Sequence, residues 1–261
     1  MPRREEVQRP RVASLTYRLE AADPLIDFTA TAFPSEVRLG GFSCRFEGER
    51  LIAAPTEHYS DPEDAADALE GELQMWASYS EIVSGVRLAF EREMVRVLDL
   101  DEPEDERDQS GYSTVRSALR VRYNVMNSPE VFPEAPPFRF VETEAITRLR
   151  RVLRGQRSGE YPLLGAAEDI RTDLKVRYGG GNSDVAANCL NVSHGVLREL
   201  GRLCASNDPV HRRTLKSTPR AGPLSDEEVG WVRRLLPELV ERAARIEASA
   251  PPAPYLTKDS V

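Results

Sequence analysis

The chain has 261 residues, of which 40% are apolar and 30% charged, with a formal net charge of −8. That length buries a core in one large domain or two smaller ones, and no apolar run approaches the roughly 18 residues a membrane helix needs, which excludes a membrane-spanning protein of the helical kind. Three scattered cysteines, Cys44, Cys189 and Cys204, argue against a disulfide framework, and the charged opening MPRREEVQRPRVA lacks the apolar segment of a secretory signal, so a cytoplasmic location is expected.

Residues 1–12 are expected to be flexible, and residues 13–140 to form a β-rich α+β domain. The runs SLTYRLE, IDFTATA, FSCRFEG and RLIAA are β-prone and are separated by Asp23-Pro24, Phe33-Pro34 and Gly40-Gly41, a pattern that suits antiparallel strands and turns. Ser60-Asp61-Pro62-Glu63-Asp64 then supplies a cap, an early proline and first-turn acids. Ala65, Leu69, Leu73 and Trp76 follow at helical spacing, predicting a helix from Pro62 to Ser80. After Gly85, VRLAF and MVRVLDL predict one strand with a bulge or two short ones, and Leu119, Val121, Tyr123 and Val125 alternate as another. The acidic stretch DLDEPEDERDQSG is read as a solvated loop rather than a metal site, because adjacent like charges without a turn pattern repel one another into water.

Helical periods dominate residues 141–249, the expected α-helical domain. Ile146, Leu149, Val152 and Leu153 make one apolar stripe, and Leu163, Leu164, Ala167, Ile170 and Leu174 a second, stopped by Gly179-Gly180-Gly181. A last helix opens on the capping box Ser225-Asp226-Glu227-Glu228 and continues through Val229, Val232, Leu236, Leu239, Val240, Ala243 and Ile246; Pro237 is expected to kink or split it. Residues 250–261 are expected to be a disordered tail. The fold class is therefore α+β, an antiparallel sheet with a packed helix followed by a helical region.

Ser183 to Leu203, SDVAANCLNVSHGVLRELGRL, carries the most specific pattern. Ser183 caps a short helix through Leu190, with the small Ala187 where two helices must approach. Asn191 suits a left-handed turn, and Ser193 caps a second helix whose Val196, Leu197, Leu200 and Leu203 share one side. His194, Arg198 and Arg202 fall on the other side as a basic stripe, with Glu199 close by. These residues resemble a helix-turn-helix DNA-binding segment over about 21 positions, departing from it in having Asn191 where a turn glycine is commonest. The resemblance implies an outward recognition helix that meets phosphates or base edges. The stretch ELGRLCASNDPVHRR with LSDEEVGWVRRLL also resembles the tails of uncharacterised bacterial proteins, which implies no activity.

Formal charge is distributed unevenly, with net −13 over residues 1–144, +7 over 145–224 and −2 over 225–261. A basic segment within an acidic chain concentrates positive potential and favours an anionic partner. The expected function is thus non-enzymatic nucleic-acid binding, to DNA before RNA and regulatory, through Ser193, His194, Arg198, Arg202, Arg212, Arg213 and Lys216. The alternative is a protein-interaction or assembly protein in which the acidic front and the basic back meet another chain or a second copy. A hydrolase or nuclease with a carboxylate site from distant residues is a third reading, for which no catalytic residue stands out. His58, His194 and His211 lack metal-ligand and helical-ribonuclease spacings, so no metal or other cofactor is expected.

Overall fold

Alternation along the first strand decides which face of the sheet is buried: Leu15, Tyr17 and Leu19 are shielded from water, whereas Ser14, Arg18 and Glu20 are only partly so. The computed structural model describes residues 11–21, 28, 31–98, 111–113, 132–205 and 223–261. They divide into two units, residues 1–80 with 86–135, and residues 81–85 with 136–261.

The first unit holds a six-stranded antiparallel sheet of β1 (Arg11–Ala21), β2 (Val37–Leu39), β3 (Phe42–Glu47), β4 (Arg50–Pro55), β5 (Leu88–Leu98) and β6 (Gly111–Ser113), in the order β2-β3-β4-β1-β5-β6. Register places Leu15 opposite Ala53, itself opposite Cys44, so three strands contribute one layer of the core. The helix α1 (Pro62–Val83) adds Ala65, Ala66, Leu69, Leu73 and Trp76 to that core. Trp76 packs edge-on to Phe132 with ring centroids 5.4 Å apart, and its indole N–H donates to the carbonyls of Pro133 and Glu134, both at 3.1 Å. The polar tip of the largest core residue is thereby satisfied, as burial requires. Across the strands, Arg50 donates to the Glu93 carboxylate at 2.8 Å and Arg18 pairs with the same group.

The second unit is helical: α2 (Glu144–Arg157), α3 (Leu163–Gly179), α4 (Ser183–Cys189), α5 (His194–Ala205) and α6 (Asp226–Glu247), followed by a 3-10 turn at Lys258–Ser260. Thr143 caps α2 by accepting from the Ile146 N–H, and the Ser225/Glu228 capping box opens α6. The last turn of α1 contains no basic residue, and α2 supplies the missing cations. Arg154 grips the Glu81 carboxylate at 2.5 and 2.8 Å, while Arg157 donates to the carbonyls of Glu81 and Ile82. Such donors complement the negative end of a helix dipole and cover carbonyls left without an internal partner.

Several expectations are corrected. The segment 250–261 is not a disordered tail, because Leu256 is buried and pairs with Val192 in a parallel bridge, and Arg242 of α6 donates to the Pro254 carbonyl at 2.7 Å. Asn182, rather than Ser183, caps α4, its Oδ1 accepting from Asp184 N at 2.8 Å and Val185 N at 3.3 Å. Pro237 does not split α6, since the buried stripe of Leu235, Leu236, Leu239 and Val240 continues on both sides of it. The boundary near residue 140 is displaced, with Glu81–Gly85 and Pro136–Val261 forming one unit. As expected for one strand with a bulge, residues 88–90 of VRLAF and 94–98 of MVRVLDL lie in a single strand, β5, whose pairing with β1 shifts register between Val12 and Ser14 and between Thr16 and Tyr17. Of IDFTATA only Phe28, Thr31 and Ala32 are described, and none belongs to a named strand; the alternation at 119–125 and residues 99–110 of the acidic stretch lie outside the described residues. Among the described residues no helix is long and apolar enough to cross a membrane.

Candidate nucleic-acid interface

Helices α3, α4 and α5 pack each against the other two. The α3 helix ends on Gly180 at φ +56°, a left-handed cap, and the preceding Gly179 lets α4 approach closely: a Cβ there would lie 2.9 Å from the Cβ and the N of Ala186. Four residues after that contact the chain reaches Leu190, the C-cap of α4. Asn191 follows at φ +54°, the left-handed conformation its side chain suits best among non-glycine residues.

Four hydrogen bonds from three donor groups fix this turn. Arg242, 4% exposed, donates to the carbonyls of Leu190 at 3.3 Å and Asn191 at 3.2 Å; the Asn191 amide donates to Ala253 O at 2.8 Å; and Ser193 N donates to Leu256 O at 2.8 Å. The turn is therefore held by α6 and by the segment beyond it, and α5 leaves it in a fixed direction. Burial of the Arg242 guanidinium disfavours its charged form and pushes its pKa down, an effect that the nearby Glu238 and Glu241 carboxylates offset only in part.

Val196, Leu197, Leu200 and Leu203 are all buried, so the apolar side of α5 faces the unit's core. His194, Arg198 and Arg202 lie outward, with side chains 43%, 66% and 46% exposed. Ser193 directly precedes α5 and is partly buried. The structure thus brings together four of the seven expected site residues, and Arg212, Arg213 and Lys216 lie outside the described residues.

The basic stripe is paired. Arg198 binds both oxygens of Asp184 at 3.1 and 3.0 Å, and the Nε2 of His194 lies 2.9 Å from the Asn188 Oδ1. Arg202 forks onto Glu199 at 2.7 and 3.0 Å and reaches Glu228 at 3.5 Å. Lys258, from the segment after α6, meets Glu199 at 2.9 Å. Arg202 and Lys258 together hold the Glu199 carboxyl well below its usual 4.5, at about 2. Three cations and three carboxylates therefore share the outer side of α5, and the face is close to electrically balanced. Asp184 and Lys258 carry no sequence signal of a role here, and Glu228 is read from the sequence only as part of the α6 capping box. Glu199 is visible as an i, i+3 partner of Arg202, whereas Lys258 is 59 residues from Glu199 and has no local signal.

A second concavity in this unit, about 440 Å³ in volume, is lined by Arg157, Arg233, Arg234, Glu238 and Glu241 together with apolar Val83 and Leu256. Its arginines at 157 and 234 donate to main-chain oxygens, Arg157 to those of Glu81 and Ile82 and Arg234 to that of Val261. Comparison with protein-family models, with curated proteins and with solved structures returned no match.

Proposed function

We propose that the protein binds nucleic acid, duplex DNA before RNA, in a regulatory role, with α5 as the element that meets the phosphate backbone. The observation that carries this reading is the two-sidedness of α5 on a three-helix frame: Val196, Leu197, Leu200 and Leu203 are buried while His194, Arg198 and Arg202 are exposed. A helix entering a groove needs that division, with one side fixed by its own domain and the other left for the duplex. The pair made by Arg198 is with Asp184, both side chains well exposed at 66% and 44%, where an ion pair contributes about 0–1 kcal/mol, so exchanging that carboxylate for a phosphate costs little.

Fluorescence anisotropy with a labelled mixed-sequence DNA duplex, titrated across a salt series, tests the reading. Saturable binding that weakens with salt, and is lost when Arg198 and Arg202 are both replaced by Ala in a protein that still folds, supports it. Absence of binding at low salt overturns it, and preference for single-stranded RNA in the same assay redirects it.

A second reading, assembly with another protein or a second copy, is favoured by the uneven charge of the chain, net −13 over residues 1–144 against +7 over 145–224. Sedimentation velocity separates the two. Self-association that dissolves with salt, in a protein indifferent to DNA, selects assembly.

A further inference from the structure

The three nitrogen atoms around Glu199 are arranged as they would be around a phosphate. Arg202 Nη2 and Lys258 Nζ both meet the same oxygen, Oε1, at 3.0 and 2.9 Å, while Arg202 Nε takes Oε2 at 2.7 Å. A planar guanidinium fork joined by a lysine ammonium matches the paired oxygens of a carboxylate and of a phosphodiester equally well. The carboxylate is the more shielded group, with 19% of the Glu199 side chain exposed, whereas the cations are more accessible, Arg202 at 46% and Lys258 at 56%. Lys258 itself is positioned rather than loose. The Trp231 indole donates to the Lys258 carbonyl at 3.2 Å, and two residues earlier Leu256 is locked to Val192.

From this arrangement we infer that Glu199 is an internal phosphate mimic, and that Lys258 and Arg202 form a backbone-phosphate site from which an incoming DNA strand displaces it. The inference rests on the nucleic-acid reading of α5 and extends it to a residue outside the helix-turn-helix segment. Lys258 becomes part of the interface, delivered to it by the segment that follows α6. Glu199 becomes the group that restrains affinity, because each phosphate contact must first replace a contact to its carboxylate. The exchange is an ionic substitution that makes and breaks no covalent bond.

The test uses the full chain and the same labelled DNA duplex, with Glu199→Gln and Lys258→Ala variants beside the unaltered protein, each checked to remain cooperatively folded at the assay temperature. Glu199→Gln keeps the shape and removes the competing charge, so it tightens binding by about two- to fivefold, the range an exposed ion pair commands. Lys258→Ala weakens binding by a similar factor and lowers the slope of log affinity against log salt by about one. If the unaltered protein binds but both variants bind identically to it, the phosphate-mimic inference is wrong while the reading of α5 stands. If no form binds DNA, the reading of α5 fails and this site fails with it.

Discussion

Arg242 donates from its Nη1 to the carbonyl oxygen of Asn191 at 3.2 Å, joining a buried guanidinium on α6 to the left-handed residue that separates α4 from α5. The same guanidinium meets Leu190 O and Pro254 O, so one side chain satisfies carbonyls from two separate stretches of chain. Replacing Arg242 by Met keeps most of the apolar stem but strands those carbonyls. A loss of about 2–4 kcal/mol in unfolding free energy is expected, measured by urea denaturation. A loss under 0.5 kcal/mol would show that water satisfies these carbonyls just as well.

Asn191 contributes both its conformation and its amide. Asn191→Gly retains the left-handed geometry and loses only the bond to Ala253 O, whereas Asn191→Val also forces a β-branched residue to φ +54°. Glycine is therefore expected to cost about 1 kcal/mol and valine about 2–3 kcal/mol, read from the shift in denaturation midpoint. Equal effects of the two would contradict the role given to the turn.

Glu199 makes stability depend on acid. Its folded-state carboxyl lies at about 2 against an ordinary 4.5, so its contribution is fully present above pH 4.5 and is lost as pH falls toward 2. Glu247, held down by Arg177 and Tyr178, acts in the same direction. The difference between the unaltered protein and Glu199→Gln isolates the first group. Denaturation midpoints of the two are expected to differ most near neutral pH and to converge in strong acid; a constant gap at all pH values would refute the assignment.

Close approach of α3 and α4 predicts intolerance of a single methyl group. Gly179→Ala places a Cβ 2.9 Å from backbone and side-chain atoms of Ala186, and an expected destabilisation of about 1–3 kcal/mol follows from overpacking. Gly180→Ala is a different experiment, because nothing lies within 4 Å of its Cβ and only the φ of +56° is strained, for which about 1 kcal/mol is expected. Calorimetric transitions of the two variants distinguish steric from conformational cost.

In the sheet unit, Trp76 is the largest fully buried side chain. Trp76→Phe leaves the carbonyls of Pro133 and Glu134 without the indole donor, for about 1–3 kcal/mol, while Trp76→Ala opens a cavity beneath Phe132 and Phe46 at about 3–5 kcal/mol. Guanidinium denaturation monitored on the far-ultraviolet signal of the sheet orders the two variants.

Elements whose stabilising partners are near in sequence are legible in the sequence itself. The α1 stripe, the Ser225/Glu228 box and the left-handed Asn191 all follow from spacings of four residues or fewer. The segment 250–261 was not legible, because its prolines and single buried leucine say nothing by themselves; its order comes from Arg242, Asn191 and Val192. The charge of the candidate interface was half legible. Periodicity places His194, Arg198 and Arg202 on the outer side of α5, but Asp184 reaches Arg198 across 14 residues and Lys258 reaches Glu199 across 59, and no local pattern reports such pairs.

The Glu81 cluster has a consequence for how this chain can be divided or inherited. The helical unit is written in two pieces, Glu81–Gly85 and Pro136–Val261, with sheet residues between them. A gene fragment starting at Pro136 would encode Arg154 and Arg157 without the Glu81 carboxylate or the α1 carbonyls they bind. The unit that carries α5 is thus not a cassette that recombination can lift out whole. Swapping it into another protein requires bringing the end of α1, Glu81–Gly85, along with it.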